Sequence, residues 1–496
     1  MIVGAGQVVQ RDPYDVERCE PVTLMVEALR LAGEDSGAGE RLLRRADSVR
    51  CVPVIAWRYM DAAALVAEDL GARPRETVQS AAIGGDGPQR LLNDTACAIA
   101  AGEIDVALVA GGEAVASMRA GAAPPWRRQA EAVRPTRELD ENREAVNEVE
   151  LAAGVALPVI MYALIESAVR AASGNDRETH LARIASLWSR FSHVAAENPF
   201  AWIRRAYAAE EIATPSTNNR LVAAPYTKLL TANMQVNLGS GLILCSAQAA
   251  GDAGVPKDRW VFIHAGAQAQ DEWHVTERAT LAGSPAIRAV GRASLEHAGL
   301  CIDDVAHIDL YSCFPSAVQI AASELDIAID NPERPLTVTG GLTFAGGPGN
   351  NYTTHAIATL VHRLREDPDA YGLATAIGWY LTKHAVGLYS ARPPQTPFAT
   401  LDPQPERQPA RRSLGRYARS ATIEAYTITY ARDGAAEAVI VSAVTPAGER
   451  TLIRASDPDF VEAVSREDPI SQHIIIDSNL RLEHQLRRTT TLAHDV

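Results

Sequence analysis

Residues 104–113, IDVALVAGGE, hold an apolar run that is long enough for a strand and does not alternate with polar residues. A strand of this kind has to be covered on both faces, as in a sheet lying between helices. An amphipathic helical pattern, GPQRLLNDTACAIAAGE, starts at a proline and leads straight into it. Upstream, IVGAGQVV reads as a buried strand and RPRETVQS as a shorter one. Between them, PVTLMVEALRLAG (21–33) spaces Leu24, Val26, Ala28 and Leu31 as a helix does, and predicts a stop at Gly33. Strands alternating with helices point to an α/β fold.

The alternation breaks between residues 114 and 230, a region rich in charge and helix formers whose clearest block is ETHLARIASLWSRFSHVAAENPFAWIRRAYAA. It reads as an inserted helical domain. MQVNLGSGLILCS then returns to strand character, and the second half repeats the first in outline. The helix SPAIRAVGRASLEHAG leads to the strand VAHIDLYSCF. The helix PSAVQIAASELDI leads to a glycine-rich segment, GGLTFAGGPGNN. The helix YTTHAIATLVHRLRED precedes a strand pair in GLATAIGWYLTKHAVGLYS.

Domains are accordingly expected at 1–113 with 231–250 (first half), 114–230 (inserted helical domain) and 251–390 (second half). A Pro-rich, polar stretch at 391–412 has the composition of an extended linker, so the chain should be separable there. Beyond it, at 413–496, strand-length segments (SATIEAYTITYARDG, AAEAVIVSAVTPAGERTLIRA, SQHIIIDSNL) predict a small additional β domain, OB-like in character.

The 496 residues suffice for two to four domains, and 47% hydrophobic with 22% charged residues describes an ordinary globular chain. A net charge of −14 argues against nucleic acid as a partner. Six cysteines, at 19, 51, 97, 245, 301 and 313, show no metal-binding spacing and fit a reducing cytoplasm. No metal is expected, and no apolar run is long enough for membrane insertion.

Five segments carry a family resemblance: AIAAGEIDVALVAGGEAVASM (98–118), GSGLILCS (239–246), DLYSCFPSA (309–317), GGLTFAGGP (340–348) and GLATAIG (372–378). Their order and spacing resemble the thiolases, closest to the sterol-carrier-type branch and, with the C-terminal extension, to the thiolase-like protein type 1 group. The resemblance covers about residues 1–390, the tail belonging to that subgroup alone. It implies a duplicated thiolase fold, an α/β architecture of two similar halves, in a protein filed with acetyl-CoA acetyltransferases and handling acyl-CoA.

The catalytic set that the resemblance implies is missing. A thiolase nucleophile is a cysteine at a helix N-terminus, where the helix dipole favours thiolate. That position falls at Gly85, and no cysteine lies between Cys51 and Cys97. Cys97 sits in the helix body and reads as core packing. Gly347 stands where the loop histidine belongs, and Tyr311 where an Asn or His does. The last catalytic cysteine should lie near Ile377–Trp379, and none follows Cys313, itself read as structural. Ordinary thiolysis through a cysteine acyl-enzyme is therefore not expected.

Polar residues at pocket-lining motif positions remain as catalytic candidates: Tyr311, Tyr352 and His355 three residues on, and His384 beside Lys383. Each has a plain structural alternative, as a core or rim residue or a solvated turn. CoA phosphates call for arginine, and Arg127 and Arg128 (PPWRRQ) with Arg204 and Arg205 (WIRRAY) are the candidates, each pair beside a tryptophan. The expected ligand is CoA or an acyl-CoA, with no covalently bound cofactor. The sequence leaves open a homodimer, paired through RETVQS, or a monomer. Two rival readings stand beside acyl-CoA binding: a tyrosine-dependent aldolase or lyase in lipid or steroid breakdown, and a non-catalytic partner that binds other proteins.

Overall fold

A computed structural model describes the chain except for residues 16, 81–82, 121–125, 140–142, 416–419, 477–481 and 484–496. Residues 81–82, just before Gly85, and parts of the segments PPWRRQ and SQHIIIDSNL lie outside the described residues. Strands β1 (Ile2–Val9), β2 (Ser48–Cys51), β3 (Glu76–Gln79), β4 (Val106–Ala114) and β5 (Arg137–Glu138) belong to the first sheet. The inserted region contributes β6 (Leu221–Ala223) and β7 (Tyr226–Thr227), after which β8 (Asn237–Cys245) completes that sheet in the order β1-β8-β4-β2-β3-β5. Every residue of β4 is buried, as its unbroken apolar run requires.

The second half builds a matching sheet from β9 (Phe262–Gln270), β10 (Val305–Asp309), β11 (Tyr371–Gly378) and β12 (Lys383–Ser390), with β13 (Thr400–Leu401) at its edge. Helices Gly87–Ala100 and Tyr352–Glu366 lie between the two sheets. One apolar cluster joins Leu91, Leu92, Ile357 and Leu360 of these helices to Val109 and Leu242 on one side and Ala374 and Tyr389 on the other. The fold is thus the duplicated α/β arrangement expected, and its centre is a pair of buried helices.

One expected boundary moves. The first helix runs from Pro21 to Asp35, with Gly33 buried inside it. A β-carbon on Gly33 would lie 2.9 Å from the Gly39 carbonyl oxygen, so this glycine serves close packing instead of ending the helix.

In the inserted region, Asp176 caps helix Arg177–Glu197, which follows Pro158–Ser173 after a left-handed Gly174. The predicted helical block stops at Glu197. The chain beyond it turns back onto the glycine-rich loop, where Trp202 N donates to Ala345 O at 3.0 Å and Ile203 N to Phe344 O at 2.8 Å.

The tail holds β14 (Ser413–Leu414), β15 (Ser420–Tyr430), β16 (Ala436–Val444), β17 (Arg450–Ala455), β18 (His473–Ile476) and β19 (Leu482–Glu483), with helix Pro458–Arg466 packed on them. The tail carries β strands, and among the described residues they form an open sheet. That sheet includes β6, paired to β15 through Thr429 and Ala223.

Arg450, fully buried, pairs with Glu424 and donates to the carbonyls of Val275, Thr276 and Arg278 in the second half. The Pro-rich stretch is likewise anchored: β13 pairs with β9, and Arg411 N donates to Glu277 O at 2.7 Å. Its polar composition concealed these contacts because most of them are made by backbone groups. Among the described residues no helix is long and apolar enough to cross a membrane.

Candidate functional site

The two central helices begin side by side. Gly84 N donates to Asn350 Oδ1 at 2.9 Å, and Thr353 Oγ1 donates to Gly85 O at 3.2 Å. Both N-termini therefore point their free amides and positive dipole ends toward one place, and Gly85 lies there. No side chain fits at that position. A β-carbon on Gly85 would sit 2.0 Å from the Tyr311 hydroxyl oxygen and 2.7 Å from Ile377 O.

Gly347 differs. A β-carbon there meets nothing closer than 3.5 Å, from Asn233 O, so packing does not exclude a side chain. The loop is held by Gly347 N donating to Asn233 O at 2.8 Å, while Ala232 N donates to Cys313 O at 3.1 Å. Residues 232–233 thus bridge Cys313 to Gly347.

Tyr311 is buried just beyond β10, with its amide donating to Thr375 Oγ1 at 2.8 Å. Its ring meets Tyr352 edge-on, with centroids 5.5 Å apart at 90°. Burial pushes the Tyr311 phenol well above its ordinary range, reinforced by Cys313 and Asp86, so it is neutral at physiological pH. Among the described residues no group hydrogen-bonds its hydroxyl. As a neutral phenol it can donate to an oxygen and is poorly suited to act as a base.

Tyr352 is tied down. Its hydroxyl donates to Asp309 Oδ1 at 2.9 Å and lies 2.6 Å from Thr339 Oγ1. Burial pushes the Asp309 carboxyl up to about 6 against the donors Thr337, Val338 and Tyr352. His355 turns to Gln7, with Nδ1 2.9 Å from Oε1, and burial lowers it to about 3. His384 joins another network, with Nε2 3.2 Å from Asp271 Oδ2 and 3.1 Å from Leu381 O. Of the catalytic candidates, then, Tyr311 and Tyr352 meet at Gly85, and the recorded partners of both histidines lie elsewhere.

Three groups at the centre were not anticipated. Asp86, one residue past Gly85, is buried against Lys383 Nζ at 3.2 Å. Glu113, at the end of β4, accepts from Ile55 N and from Ala56 N (3.1 Å), and burial pushes it up to about 7. Tyr162, from the inserted domain, donates to Trp379 O at 2.9 Å and stacks on Phe314 at 4.6 Å. Of these, Glu113 sits inside a quoted motif and was findable there, whereas nothing local marks Tyr162. Cys313 stays a thiol, because burial pushes it up to about 12.

The arginines separate. Arg127 is spent on Glu20 (3.1 Å) and Asp69 (2.8 Å), and Arg128 stacks over Trp57 at 5.1 Å. Arg205 pairs with Glu211 at 2.7 Å and lies over Tyr207. Arg204 is exposed beside the glycine loop and close enough to Arg11 to lower it, after the larger effect of burial.

The family profile described as the thiolase-like protein type 1 additional C-terminal domain matches residues 400–479. Among solved structures, the chain is 31% identical to a monomeric SCP2-thiolase-like protein type 1 from Mycobacterium smegmatis, with 97% of this chain and 98% of that one covered at a TM-score of 0.81. It is 19% identical to the Ltp2-ChsH2(DUF35) aldolase, over 79% of this chain and 97% of that one, at 0.57. It is 17% identical to human mitochondrial 3-ketoacyl-CoA thiolase in complex with CoA, over 78% and 97%, at 0.55. The last two likenesses concern the fold. Among curated proteins nothing matches.

Proposed function

The chain belongs to the SCP2-thiolase-like protein type 1 family, and from that premise we propose that it binds an acyl-CoA-type thioester without forming a cysteine acyl-enzyme. The observation that carries this reading is the 2.0 Å approach of the Tyr311 hydroxyl to any β-carbon on Gly85. The place of a nucleophilic sulfur is filled. CoA as the ligand is supported by the shared fold with a CoA-bound thiolase. Exposed Arg204 is the arginine best placed for its phosphates, because Arg127 and Arg205 already hold carboxylates. The six free cysteines agree with a cytoplasmic setting.

A monomer is favoured by the edge of β3. Residues 136–139 of the same chain occupy it: Thr136 Oγ1 donates to Thr77 O at 2.6 Å and Leu139 N to Gln79 O at 2.8 Å. A partner strand would have to displace them.

A second reading, a lyase, is favoured by the hydroxyl of Tyr311, which has no hydrogen-bond partner among the described residues. In a retro-aldol step a β-hydroxyacyl thioester loses its hydroxyl proton as the Cα–Cβ bond breaks, giving a carbonyl product and a thioester enolate that is then protonated. Tyr311 would donate its hydrogen bond to the thioester oxygen, where charge develops. The likeness to an aldolase described with a DUF35 partner keeps this reading in view, since a β domain is here fused in cis.

Calorimetric titration with acetyl-CoA and acetoacetyl-CoA, followed by intact-mass measurement, tests the main reading. Binding with no added acyl mass is expected. Absence of binding to any acyl-CoA, or a stable adduct on Cys313, would overturn it.

A further inference from the structure

Beneath the helix Tyr352–Glu366, one row of the first sheet is polar. Gln7 of β1 pairs with Ser240 of β8, and Ser240 pairs with Gly111 of β4. Partners across neighbouring strands turn to the same face of a sheet. Here that face is the helix side. Gln7 Oε1 lies 2.9 Å from His355 Nδ1, and a β-carbon on Gly111 would lie 2.1 Å from Asn351 Oδ1. The glycines flanking Ser240 face the other way, where β-carbons on Gly239 and Gly241 would meet Leu24 and Leu29 of the first helix. Ser240 therefore stands between His355 and Asn351, which share one helix face four residues apart.

Asn351 forgoes the bond its position favours. It is the N-cap residue of the helix, where an asparagine normally accepts from an amide of the first turn, and it makes no capping bond. Its amide is turned onto Gly111, the one strand position in the row with no side chain to oppose it.

His355 points an acceptor into the same row. Gln7 Nε2 donates to Thr359 Oγ1 at 3.2 Å, so the oxygen of that amide faces the ring and can only accept. Nδ1 then carries the proton and Nε2 of the neutral ring is an acceptor. His355 Nε2, Ser240 Oγ, Thr354 Oγ1 and both ends of the Asn351 amide have no hydrogen-bond partner among the described residues, in residues at most 6% exposed. Buried polar groups are nearly always paired, because each that is not bears the cost of leaving water.

We infer that this row binds buried water, about two molecules at roughly three hydrogen bonds each, joining Asn351 to Ser240 and Ser240 to His355 Nε2. Every group of the row is uncharged, which favours a neutral ligand over an ion. The direct bond from His355 to Gln7 keeps helix and sheet too close for a larger one. The row lies behind Asn350 and Thr353, which bond Gly84 N and Gly85 O, so its water sets the height at which this helix meets the central site. That role is independent of what the central site binds.

A crystal structure of the full chain at high resolution tests the inference. Ordered water within hydrogen-bond reach of Ser240 Oγ, the Asn351 amide and His355 Nε2 is expected. A dry row, or direct bonds among these side chains, would overturn it. Ser240→Ala and the isosteric Thr354→Val give a second reading in solution. Removing a hydroxyl that holds water strands the other partners of that water, so each variant should unfold at a urea midpoint lower by about 0.2 M. Removing a hydroxyl without any partner relieves a buried polar group, so raised midpoints would overturn the inference as well.

Discussion

Tyr311 and Gly85 share one volume: a β-carbon on residue 85 would lie 2.0 Å from the Tyr311 hydroxyl oxygen and 2.5 Å from its Cζ. Gly85→Cys alone should therefore destabilise the protein by about 1–3 kcal/mol through overpacking. Combining it with Tyr311→Ala should recover much of that loss. Urea unfolding of both variants checks this, and a harmless single cysteine would show that the space is open.

For the lyase reading, Tyr311→Phe removes a hydroxyl that no described residue holds, so it should lower turnover of a β-hydroxyacyl-CoA while leaving affinity close to wild type. Tyr352→Phe strips a donor from buried Asp309 and should cost stability, by about 1–3 kcal/mol. Kinetics and unfolding measured on the same two variants separate the roles. Equal effects from both would argue against Tyr311 as the hydroxyl that contacts substrate.

CoA affinity and stability should divide between the arginines. Arg204→Ala is expected to weaken CoA binding about tenfold, in a salt-dependent way, with little change in melting temperature. Arg127→Ala should do the reverse, because its guanidinium joins Glu20 to Asp69. Titrations at two salt concentrations would expose a reversed order.

Acid should unfold the protein partly through His355. Burial holds it at about 3, whereas the unfolded chain titrates near its ordinary value of 6.5. Between those values the unfolded state carries a proton that the folded state refuses, so stability falls as pH drops from 6.5 toward 3. The slope is about 1.4 kcal/mol per pH unit. His355→Gln, able to keep a contact with Gln7, should flatten that slope by one proton. Unchanged slopes in urea titrations from pH 4.5 to 7.5 would mean that His355 is solvated.

The tail should not come away cleanly. Arg450→Ala removes the cation that pairs with Glu424 and a donor shared by three carbonyls, and should cost about 3–5 kcal/mol. Exposed Arg412→Ala should change stability by less than about 0.5 kcal/mol. Truncation before residue 400 should give an aggregating body. A well-behaved fragment 1–390 would restore the linker as a true boundary.

The α/β class, the two halves, the inserted helices and the lack of a cysteine between Cys51 and Cys97 were legible in the residues. Apolar periodicity and short motifs are local properties, and a missing cysteine is missing in any conformation. The sequence could also place Tyr311 and Gly85 at corresponding motif positions. That one fills the space of the other is a contact across 226 residues, and only packing decides it. The same holds for Tyr162 reaching the last loop from the inserted domain, for Arg127 spent on carboxylates, and for Arg450 locking a tail that composition marks as separable. Side-chain identity fixes what a residue can do, but its charge, freedom and partners are set by which distant groups the fold brings within about 3 Å.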